Sequence, residues 1–469
     1  MLKKEIKKID ILSLAIGAII GTGAFLLPGT MFLKAGMLNS IIAIFMGGFI
    51  MIGIEKNYGY LLKKFPVAGG EYAFTYDAFG WKHALMCGWF LTLAYSSLVP
   101  FNATGLAFVA KFIMPGVLKV GYLYTIAGSS IYLGEIGIAI FALCFFAYLN
   151  IKGVKLASNF QNIMVMMLVG IVFLFLSLAI AKVGVGNEYT ATFLTGQTVS
   201  ISNILMVLSI APMLFVGFDC IPQVAEELNF EAEEASKLAV FSILIGALIY
   251  CSILFFTSFG ITLEQVTSGE ISWATGHTVE FYFGKIGLWS LALALLSAII
   301  AGINGFYMAS SRLLFAMARG KILPEFFGEL DHKYHTPKNA ILFILVISLI
   351  APWFGRNVLG WIVGTSSVGA SIGYLYTSLS SYKLYKKEHG KVYLPSVFGS
   401  VAGVIFLILL LVPGLKSSLS FPSAVIVAVW GIIGYSFYKF YDLQVVHYTA
   451  EELDELILNR DKDGNFREK

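Results

Sequence analysis

Two interrupted apolar stretches decide the fold of this chain: Gly17–Gly29, which reads GAIIGTGAFLLPG, and Pro212–Pro222, which reads PMLFVGFDCIP. In the first stretch Gly21 and Gly23 flank one threonine, and each glycine weakens an α-helix by about 1 kcal/mol. In the second, two prolines bracket a glycine and a carboxylate, and each proline removes a donor from the helical hydrogen-bond ladder. Both patterns predict a helix that is broken near its middle.

The apolar character of the chain extends far beyond these two stretches. Of its 469 residues, 58% are apolar and 13% are charged, which is about half the charge of a soluble domain. We therefore expect an integral membrane protein, because lipid can surround an apolar surface that water cannot. The net charge of +4 does not indicate nucleic-acid binding, since the basic residues lie in short loops, as membrane topology requires.

Twelve apolar segments are predicted to cross the membrane, which takes roughly 20 residues each. They are Ile11–Phe32, Leu38–Leu62, Leu85–Met114, Ile131–Asn150, Phe160–Ala181, Ile204–Ala225, Leu238–Ile261, Ile286–Ala318, Asn339–Trp353, Val358–Leu379, Leu394–Val412 and Pro422–Phe440. The interrupted stretches lie in segments 1 and 6, as an inverted five-plus-five repeat with discontinuous helices 1 and 6 requires. The sequence thus predicts one all-α membrane domain over residues 1–441, with segments 11 and 12 peripheral, and a C-terminal tail over residues 442–469.

Basic residues are distributed unequally between the two sides of the predicted bundle. With the N-terminus in the cytoplasm, about 25 of the 32 Lys and Arg residues fall on cytoplasmic stretches. The others are Lys34, Lys111, Lys119, Lys182, Lys285, Arg356 and Lys416. This asymmetry predicts a multi-pass protein of the cytoplasmic membrane with both termini in the cytoplasm.

The helix breaks also predict a binding site. A break frees backbone N–H and C=O groups at mid-membrane, where lipid cannot satisfy them, so a ligand, a water molecule or a side chain must. The positive end of one half-helix suits a carboxylate and the freed carbonyls of the other suit an ammonium group, and an amino acid carries both. Asp219 would cost at least about 2.5 kcal/mol in lipid, so we expect it to face a polar cavity. Close helix packing is the structural alternative for the glycines.

Five blocks of sequence are informative in combination. They are GAIIGTGAFLLPG at Gly17–Gly29, FPVAGGEYAFTYDAFG at Phe65–Gly80, LNIKGVKLASNFQN at Leu149–Asn162, LFVGFDCIPQVAEEL at Leu214–Leu228, and SSRLLFAMARGKILPEFF at Ser310–Phe327 with HTPKNAI at His335–Ile341. In this order they resemble the amino acid–polyamine–organocation (APC) superfamily of permeases across the first ten segments. The resemblance implies the LeuT-like inverted-repeat fold, alternating access, and secondary rather than ATP-driven transport.

The resemblance also implies roles for both breaks. The backbone of the first break would hold the substrate carboxylate, the carbonyls of the second would hold the α-amino group, and an aromatic ring at the second would cover the occluded substrate. The residues concerned are Gly21, Thr22 and Gly23 at the first break, and Phe215, Val216, Gly217 and Phe218 at the second. Asp219 matches an acidic position linked to pH response in arginine/agmatine-type relatives.

Three departures from the family pattern bear on substrate and coupling. Leu168 stands where proton-driven relatives often carry a lysine. Ala94 precedes Tyr95 where relatives that carry cationic amino acids often have a glutamate, and Tyr60 replaces another common glutamate. The remaining candidate pocket groups are neutral: Tyr95, Ser96, Ser97, Asn304, Tyr307, Thr365 and Ser366. We therefore expect a neutral amino acid as the substrate.

Several polar residues admit both a structural and a functional interpretation. Asn304 either bonds a neighbouring helix or contacts the substrate. Glu226 and Glu227 form either a solvated helix end or a cytoplasmic gate that pairs with Arg312 or Lys63. Arg312 could also reach the membrane interface by snorkelling alone.

The other titratable residues predict no chemistry. Glu71 is expected to pin a loop helix, and Glu135 to lie at the membrane interface. No metal or cofactor is expected, because the four cysteines show no CxxC spacing and the pair His332 and His335 has no further ligand at helical spacing.

The sequence as a whole predicts a secondary active transporter, a permease that moves amino acids by alternating access as a proton symporter or an exchanger. Its expected partners are a small amino acid, the lipid bilayer and a coupling proton. A polyamine or amine permease, or an amino acid/amine antiporter, is the nearest alternative, although Asp219 alone supplies little charge for such a substrate. A transporter-like receptor or channel is a third class. A membrane-embedded enzyme is a fourth, but no paired catalytic groups occur at one depth.

Overall fold

Ten helices in the described part of the computed structural model, which covers residues 4–126, 129–183, 198–261, 265, 271, 273–445 and 448–460, are long and apolar enough to span a bilayer. They are Lys8–Leu26, Met37–Lys64, Trp81–Ile113, Leu133–Lys152, Gln161–Leu178, Ala232–Gly260, Ala274–Arg319, Asn357–His389, Leu394–Leu411 and Phe421–Lys439. Large apolar side chains such as Phe49, Ile286 and Phe421 point outward and are more than 70% exposed, as lipid contact requires. The chain is therefore an all-α, multi-pass membrane protein.

Two of the twelve predicted segments are not among these ten helices. Segment 6 is divided into two short helices, Ile201–Leu208 and Ala211–Leu214, and the 3-10 turns Phe218–Cys220 and Pro222–Glu227. Segment 9 is a short apolar helix over Lys338–Ser348 that tightens into a 3-10 turn at Pro352. Both shortfalls follow from proline, which cannot donate to the helical ladder.

The helices are numbered here in chain order. They are α1 Lys8–Ile20, α2 Gly23–Leu26, α3 Pro28–Ala35, α4 Met37–Lys64, α5 Glu71–Phe79, α6 Trp81–Ile113, α7 Pro115–Leu118, α8 Leu133–Lys152, α9 Val154–Val183, α10 Ile201–Leu208, α11 Ala211–Leu214, α12 Ala232–Thr257, α13 Ala274–Arg319, α14 Lys338–Ser348, α15 Asn357–His389, α16 Leu394–Leu411, α17 Phe421–Val445 and α18 Ala450–Leu458.

The first apolar segment is interrupted where the sequence predicts. Helix α1 ends at Ile20, and Gly21 adopts φ 38° and ψ −159°, a conformation that L side chains rarely take. The helix resumes at Gly23 as α2, and Pro28 opens α3 as its first residue. The break thus consists of Gly21 and Thr22.

The second interruption lies at Gly217, which has φ 150° and ψ −45°. A side chain has no room there, because a Cβ on Gly217 would lie 2.8 Å from the carbonyl oxygen of Ala15 and 2.8 Å from the backbone nitrogen of Ile19. The two broken segments therefore cross in direct backbone contact, which only glycine permits.

Several elements lie outside the spanning helices, and three of them bear on the site or on the predicted tail and loops. Helix α5 forms the loop between α4 and α6, and an antiparallel hairpin of β1 (Tyr122–Ile126) and β2 (Ser129–Tyr132) precedes α8. Helix α18, in the part of the predicted tail that the structure describes, begins with a capping box at Thr449 and Glu452. It packs on α5 and on α13. The sequence analysis did not predict the hairpin.

Candidate functional site

At the first break, two side chains take up the freed backbone groups. The N–H of Thr22 donates to Oδ1 of Asn102 at 3.0 Å, and the Thr22 hydroxyl donates to the same oxygen at 2.7 Å. On the carbonyl side, the Tyr250 hydroxyl donates to the oxygen of Ile19 at 3.0 Å. Thr22 is fully buried, so the break is satisfied by Asn102 from α6 and Tyr250 from α12, as a low-dielectric setting demands.

The glycines of the first break leave space next to these two polar side chains. A Cβ on Gly21 would lie 3.4 Å from Oδ1 of Asn102, and one on Gly23 would lie 3.1 Å from the hydroxyl oxygen of Tyr250. A side chain at Gly23 would therefore crowd the polar groups that face the break.

At the second break, the backbone is held by Asp219 and Tyr95. The N–H of Gly217 donates to Oδ1 of Asp219 at 2.7 Å, and the Tyr95 hydroxyl donates to the backbone oxygen of Asp219 at 3.0 Å. Val216 and its neighbours in this stretch are buried. The second break is thus a closed turn stabilised by its own carboxylate, which accepts a charge-assisted hydrogen bond.

The two candidate covering rings at this break face different neighbours. The Phe215 ring lies 6.3 Å from the ring of Tyr250, which itself bonds the first break. The Phe218 ring stacks on Tyr374 at 5.6 Å and meets the edge of Tyr58 at 5.4 Å. Phe215 is therefore the ring on the side of the first break, whereas Phe218 packs against α4 and α15.

A group of hydrogen-bonded side chains lies beyond the second break, and we refer to it as the carboxylate cluster. The Tyr95 hydroxyl lies 3.1 Å from Oδ2 of Asp219 and 3.4 Å from Oε1 of Glu71. Glu71 also accepts from the Tyr58 hydroxyl at 2.9 Å and from the side-chain amide of Gln223. Both carboxylates are fully buried, and Glu71 connects the loop helix α5 to α4, to α6 and to the second break.

Three of the other predicted pocket residues engage neighbouring helices. The Asn304 amide donates to Oε1 of Gln161 at 2.7 Å and accepts from Asn150 at 2.8 Å, which is the interhelical bonding that the sequence offers as its alternative role. The Tyr307 hydroxyl donates to the backbone oxygen of Leu143, and the Ser366 hydroxyl donates to the backbone oxygen of Ala94. The Thr365 hydroxyl instead donates to the backbone oxygen of Trp361 in its own helix.

Two ion pairs lie at the end of the bundle at which the N-terminus lies. Arg312 donates through Nε to Oε1 of Glu227 at 2.9 Å, and both side chains are at most 2% exposed. Glu226 pairs with Arg319 at 2.8 Å. The predicted gate pairing with Arg312 is therefore present for Glu227, and the burial of this pair rules out snorkelling as the explanation of Arg312.

The start of the chain is tied to the same place. Ile6 forms a parallel bridge with Leu228. The N–H of Ile6 donates to the oxygen of Glu227 at 3.0 Å, and the N–H of Asn229 donates to the oxygen of Ile6 at 3.1 Å. The residues before α1 and those after the second break are therefore joined by backbone hydrogen bonds.

Three residues of the site were missed or undervalued in the sequence. The sequence did indicate Asn102 as a candidate, because it is an amide inside an apolar helix and lies two residues after Pro100. Tyr250 lies in an apolar run with no motif, so only its contact with Ile19 reveals it. Glu71 reads as a loop residue, and its partner Asp219 is far away in the chain.

Comparison with known proteins matches residues 6–437 to a family model described as amino acid permease. The chain is 26% identical over 364 residues to the branched-chain amino acid permease of Bacillus subtilis (strain 168), covering 74% of each protein. It is 28% identical over 360 residues to the serine/threonine exchanger of that organism, covering 74% of this chain and 76% of the relative. It is also 24% identical over 380 residues to the methylthioribose transporter of the same bacterium, covering 79% of each.

Proposed function

Because the chain belongs to the amino acid permease family, a family of membrane transporters, we propose that it carries neutral amino acids by alternating access as a secondary active transporter of the cytoplasmic membrane. The observation that carries this proposal is the pair of buried helix breaks. They lie at Gly21–Thr22 and at Gly217, and the two broken segments touch through their backbones. Binding at such a crossing acts on both halves of the molecule at once.

The substrate's charged groups would replace the side chains that satisfy the first break. The carboxylate takes the backbone N–H of Thr22, which donates to Asn102 in this structure. The α-amino group takes the carbonyls of Phe215, Val216 and Gly217. Asn102 then becomes a donor to the substrate through its amide nitrogen, because one amide side chain offers both roles.

A neutral side chain on the substrate fits the charges of the site. Asp219 is the acidic residue nearest to the breaks, and its oxygens are already engaged by Gly217 and Tyr95. A further positive charge on the substrate would be buried without a counter-charge, which is costly in a low-dielectric medium. The relatives named for branched-chain amino acids and for serine and threonine support this choice.

Helix packing supports the inverted five-plus-five repeat and, with segments 6 and 9 included, twelve membrane crossings. If segments 1–5 match segments 6–10, each contact should recur with both partners shifted by five. Helix α1 of segment 1 packs on α12 of segment 7, as α10 of segment 6 packs on α4 of segment 2. Helix α6 of segment 3 packs on α15 of segment 10, as α13 of segment 8 packs on α9 of segment 5. The contact of α1 with α9, between segments 1 and 5, recurs as the contact of α11 with α15, between segments 6 and 10. Segments 11 and 12 have no counterpart in this scheme.

The ion pairs at the N-terminal end would form the cytoplasmic gate. In this arrangement both termini lie in the cytoplasm, as the loop charges favour. Opening toward that side separates Glu227 from Arg312 and Glu226 from Arg319, which are closed here. Substrate binding shifts the equilibrium between the two states by its differential affinity for them.

The test is uptake into proteoliposomes that contain the purified protein, with labelled leucine and labelled serine as probes. We expect saturable uptake that unlabelled neutral amino acids compete for, and no uptake into liposomes without protein. Competition by putrescine or methylthioribose, with none by neutral amino acids, would overturn the substrate assignment. Currents far above the turnover of a carrier would overturn alternating access.

A further inference from the structure

Two buried carboxylates, neither of which is among the proposed substrate contacts, converge on one hydroxyl. Oε1 of Glu71 and Oδ2 of Asp219 lie 3.4 Å and 3.1 Å from the hydroxyl oxygen of Tyr95. Both acids are fully buried. In the described part of the chain, no ion pair joins either of them to a Lys, Arg or His. Buried carboxylates without a cation are normally protonated or share a proton.

The hydrogen bonds of the carboxylate cluster lack one hydrogen when both acids are ionised. Tyr95 has a single hydroxyl hydrogen, and three oxygens compete for it: Oε1 of Glu71, Oδ2 of Asp219 and the backbone oxygen of Asp219. An ionised carboxylate only accepts. One added proton removes the conflict, because a protonated Asp219 can donate to the Tyr95 oxygen while Tyr95 donates to Glu71.

Gln223 supplies a second, independent observation. Its amide nitrogen donates to Glu71, while its amide oxygen is buried and has no hydrogen-bond partner among the described residues. A buried acceptor without a partner is costly. The contact is with Oε2 of Glu71, so if the amide rotates by half a turn, its oxygen accepts from Glu71 protonated at Oε2, and Gln223 fits either protonation state of that oxygen.

The groups that face the pair from the surrounding elements are neutral at physiological pH. They are Tyr58 from α4, Cys87 from α6, Cys220 and Gln223 from the second break, and Tyr374 from α15. Burial, and then the charge of Asp219, raises the pKa of Glu71 in the loop helix α5 well above its ordinary value. Among the described residues, no group around the pair therefore replaces the proton.

We propose that Glu71, Tyr95 and Asp219 together bind one proton, and that this is the proton coupled to transport. The inference rests on the proposed function and names the coupling ion. It also accounts for Leu168, which stands where a lysine would otherwise serve proton coupling. The proton is linked to substrate because Asp219 accepts from the N–H of Gly217, and neutralising the acid weakens that bond at the substrate's break.

The transfer within the cluster balances without a co-reactant. The O–H bond of protonated Asp219 breaks as the Tyr95 oxygen gains its hydrogen, and the original Tyr95 hydrogen passes to Oε1 of Glu71. The net result is an ionised Asp219, an intact Tyr95 and a protonated Glu71. Because Glu71 begins the loop helix α5, release to the cytoplasm follows when that side of the transporter opens.

The experiment measures proton entry with a pH-sensitive dye trapped in proteoliposomes while leucine is added outside. We expect wild-type uptake to acidify the lumen and to be stimulated by an acidic exterior. Glu71→Gln and Tyr95→Phe should lose both effects. The matched control is Glu55→Gln, which neutralises another buried carboxylate, hydrogen-bonded to Ser236, and should keep both. Proton-coupled uptake that survives in Glu71→Gln, or disappears in Glu55→Gln instead, overturns the proposal.

A second readout does not depend on transport or on folding of the cluster variants. Infrared difference spectra of the Glu55→Gln protein, taken between acidic and alkaline pH, should show the carbonyl band of a buried protonated carboxyl group. The absence of this band overturns the proton site. Leucine uptake without proton entry refutes the proton assignment alone, whereas the absence of any amino acid uptake refutes the proposed function.

Discussion

Replacing Gly217 by alanine tests the crossing of the two broken helices. The substitution adds one methyl group at a residue with φ 150°, a backbone conformation that costs an ordinary residue about 1–3 kcal/mol. The new Cβ would also lie 2.8 Å from backbone atoms of Ala15 and Ile19. Backbone cannot rotate away as a side chain can, so overpacking adds about 1–3 kcal/mol. The expected total is a loss of about 2–6 kcal/mol in the free energy of unfolding.

A loss of this size is a large fraction of the stability of a folded protein, which is about 5–15 kcal/mol. We expect a lower midpoint of thermal unfolding in detergent and loss of leucine binding, measured on the same preparation. Gly21→Ala is an intermediate case, because its φ is 38° but its Cβ would meet neighbours only at 3.4 Å. Gly137→Ala is the matched control, since no described atom lies within 4 Å of its Cβ position.

The reasoning fails if Gly217→Ala unfolds at the same midpoint as Gly137→Ala and binds leucine with unchanged affinity. That result would mean that the two broken segments do not touch at this point. A Gly217→Ala protein that is destabilised but binds normally would show that the crossing is structural and that the substrate lies elsewhere.

The remaining predictions concern the gate, the first break and pH. Arg312→Met should lower the free energy of unfolding by about 3–5 kcal/mol because it leaves Glu227 buried and unpaired; adding Glu227→Leu should restore most of the loss in thermal unfolding, and an additive loss would contradict the pairing. Asn102→Leu should cost about 1–3 kcal/mol and weaken leucine binding in an equilibrium assay, because Thr22 loses the acceptor of two hydrogen bonds; Thr22→Val, which removes one of them, should cost less. Burial raises the pKa of Glu71 above its ordinary value of 4.5, so the folded protein keeps a proton there that the unfolded chain releases. The free energy of unfolding should therefore fall as pH rises from about 4.5 toward the raised pKa, and Glu71→Gln should flatten this fall in a series of thermal unfolding curves; an unchanged slope would contradict it.

The sequence predicted the positions of both helix breaks because glycine and proline act locally. Gly21 needs a positive φ and Gly217 needs both a positive φ and the absence of a Cβ, and these requirements can be inferred from residue type inside an apolar run. The apolar lengths likewise predicted nearly all of the spanning helices. Segment 9 is not among the ten spanning helices, and Pro352 near its end explains why its helix is short.

The partners of the breaks could not be predicted in the same way, because they come from distant helices. Nothing in the spacing of Asn102 or Tyr250 indicates which backbone group each will meet. The acidic pair shows the same limit: Glu71 begins the loop helix α5 and Asp219 lies in the second break, and it is their shared contact with Tyr95 that connects them. Glu226 and Glu227 are adjacent in sequence, yet they pair with Arg319 and Arg312, which lie about two helical turns apart along α13.

The bridge between Ile6 and Leu228 has a consequence for biosynthesis. Ile6 leaves the ribosome well before its hydrogen-bond partners, Glu227 and Asn229, have been translated. Until then Ile6 lacks both of these backbone partners, and Glu227 itself waits for Arg312 to emerge. A nascent chain that is truncated before residue 227 should therefore leave the segment around Ile6 accessible to added protease.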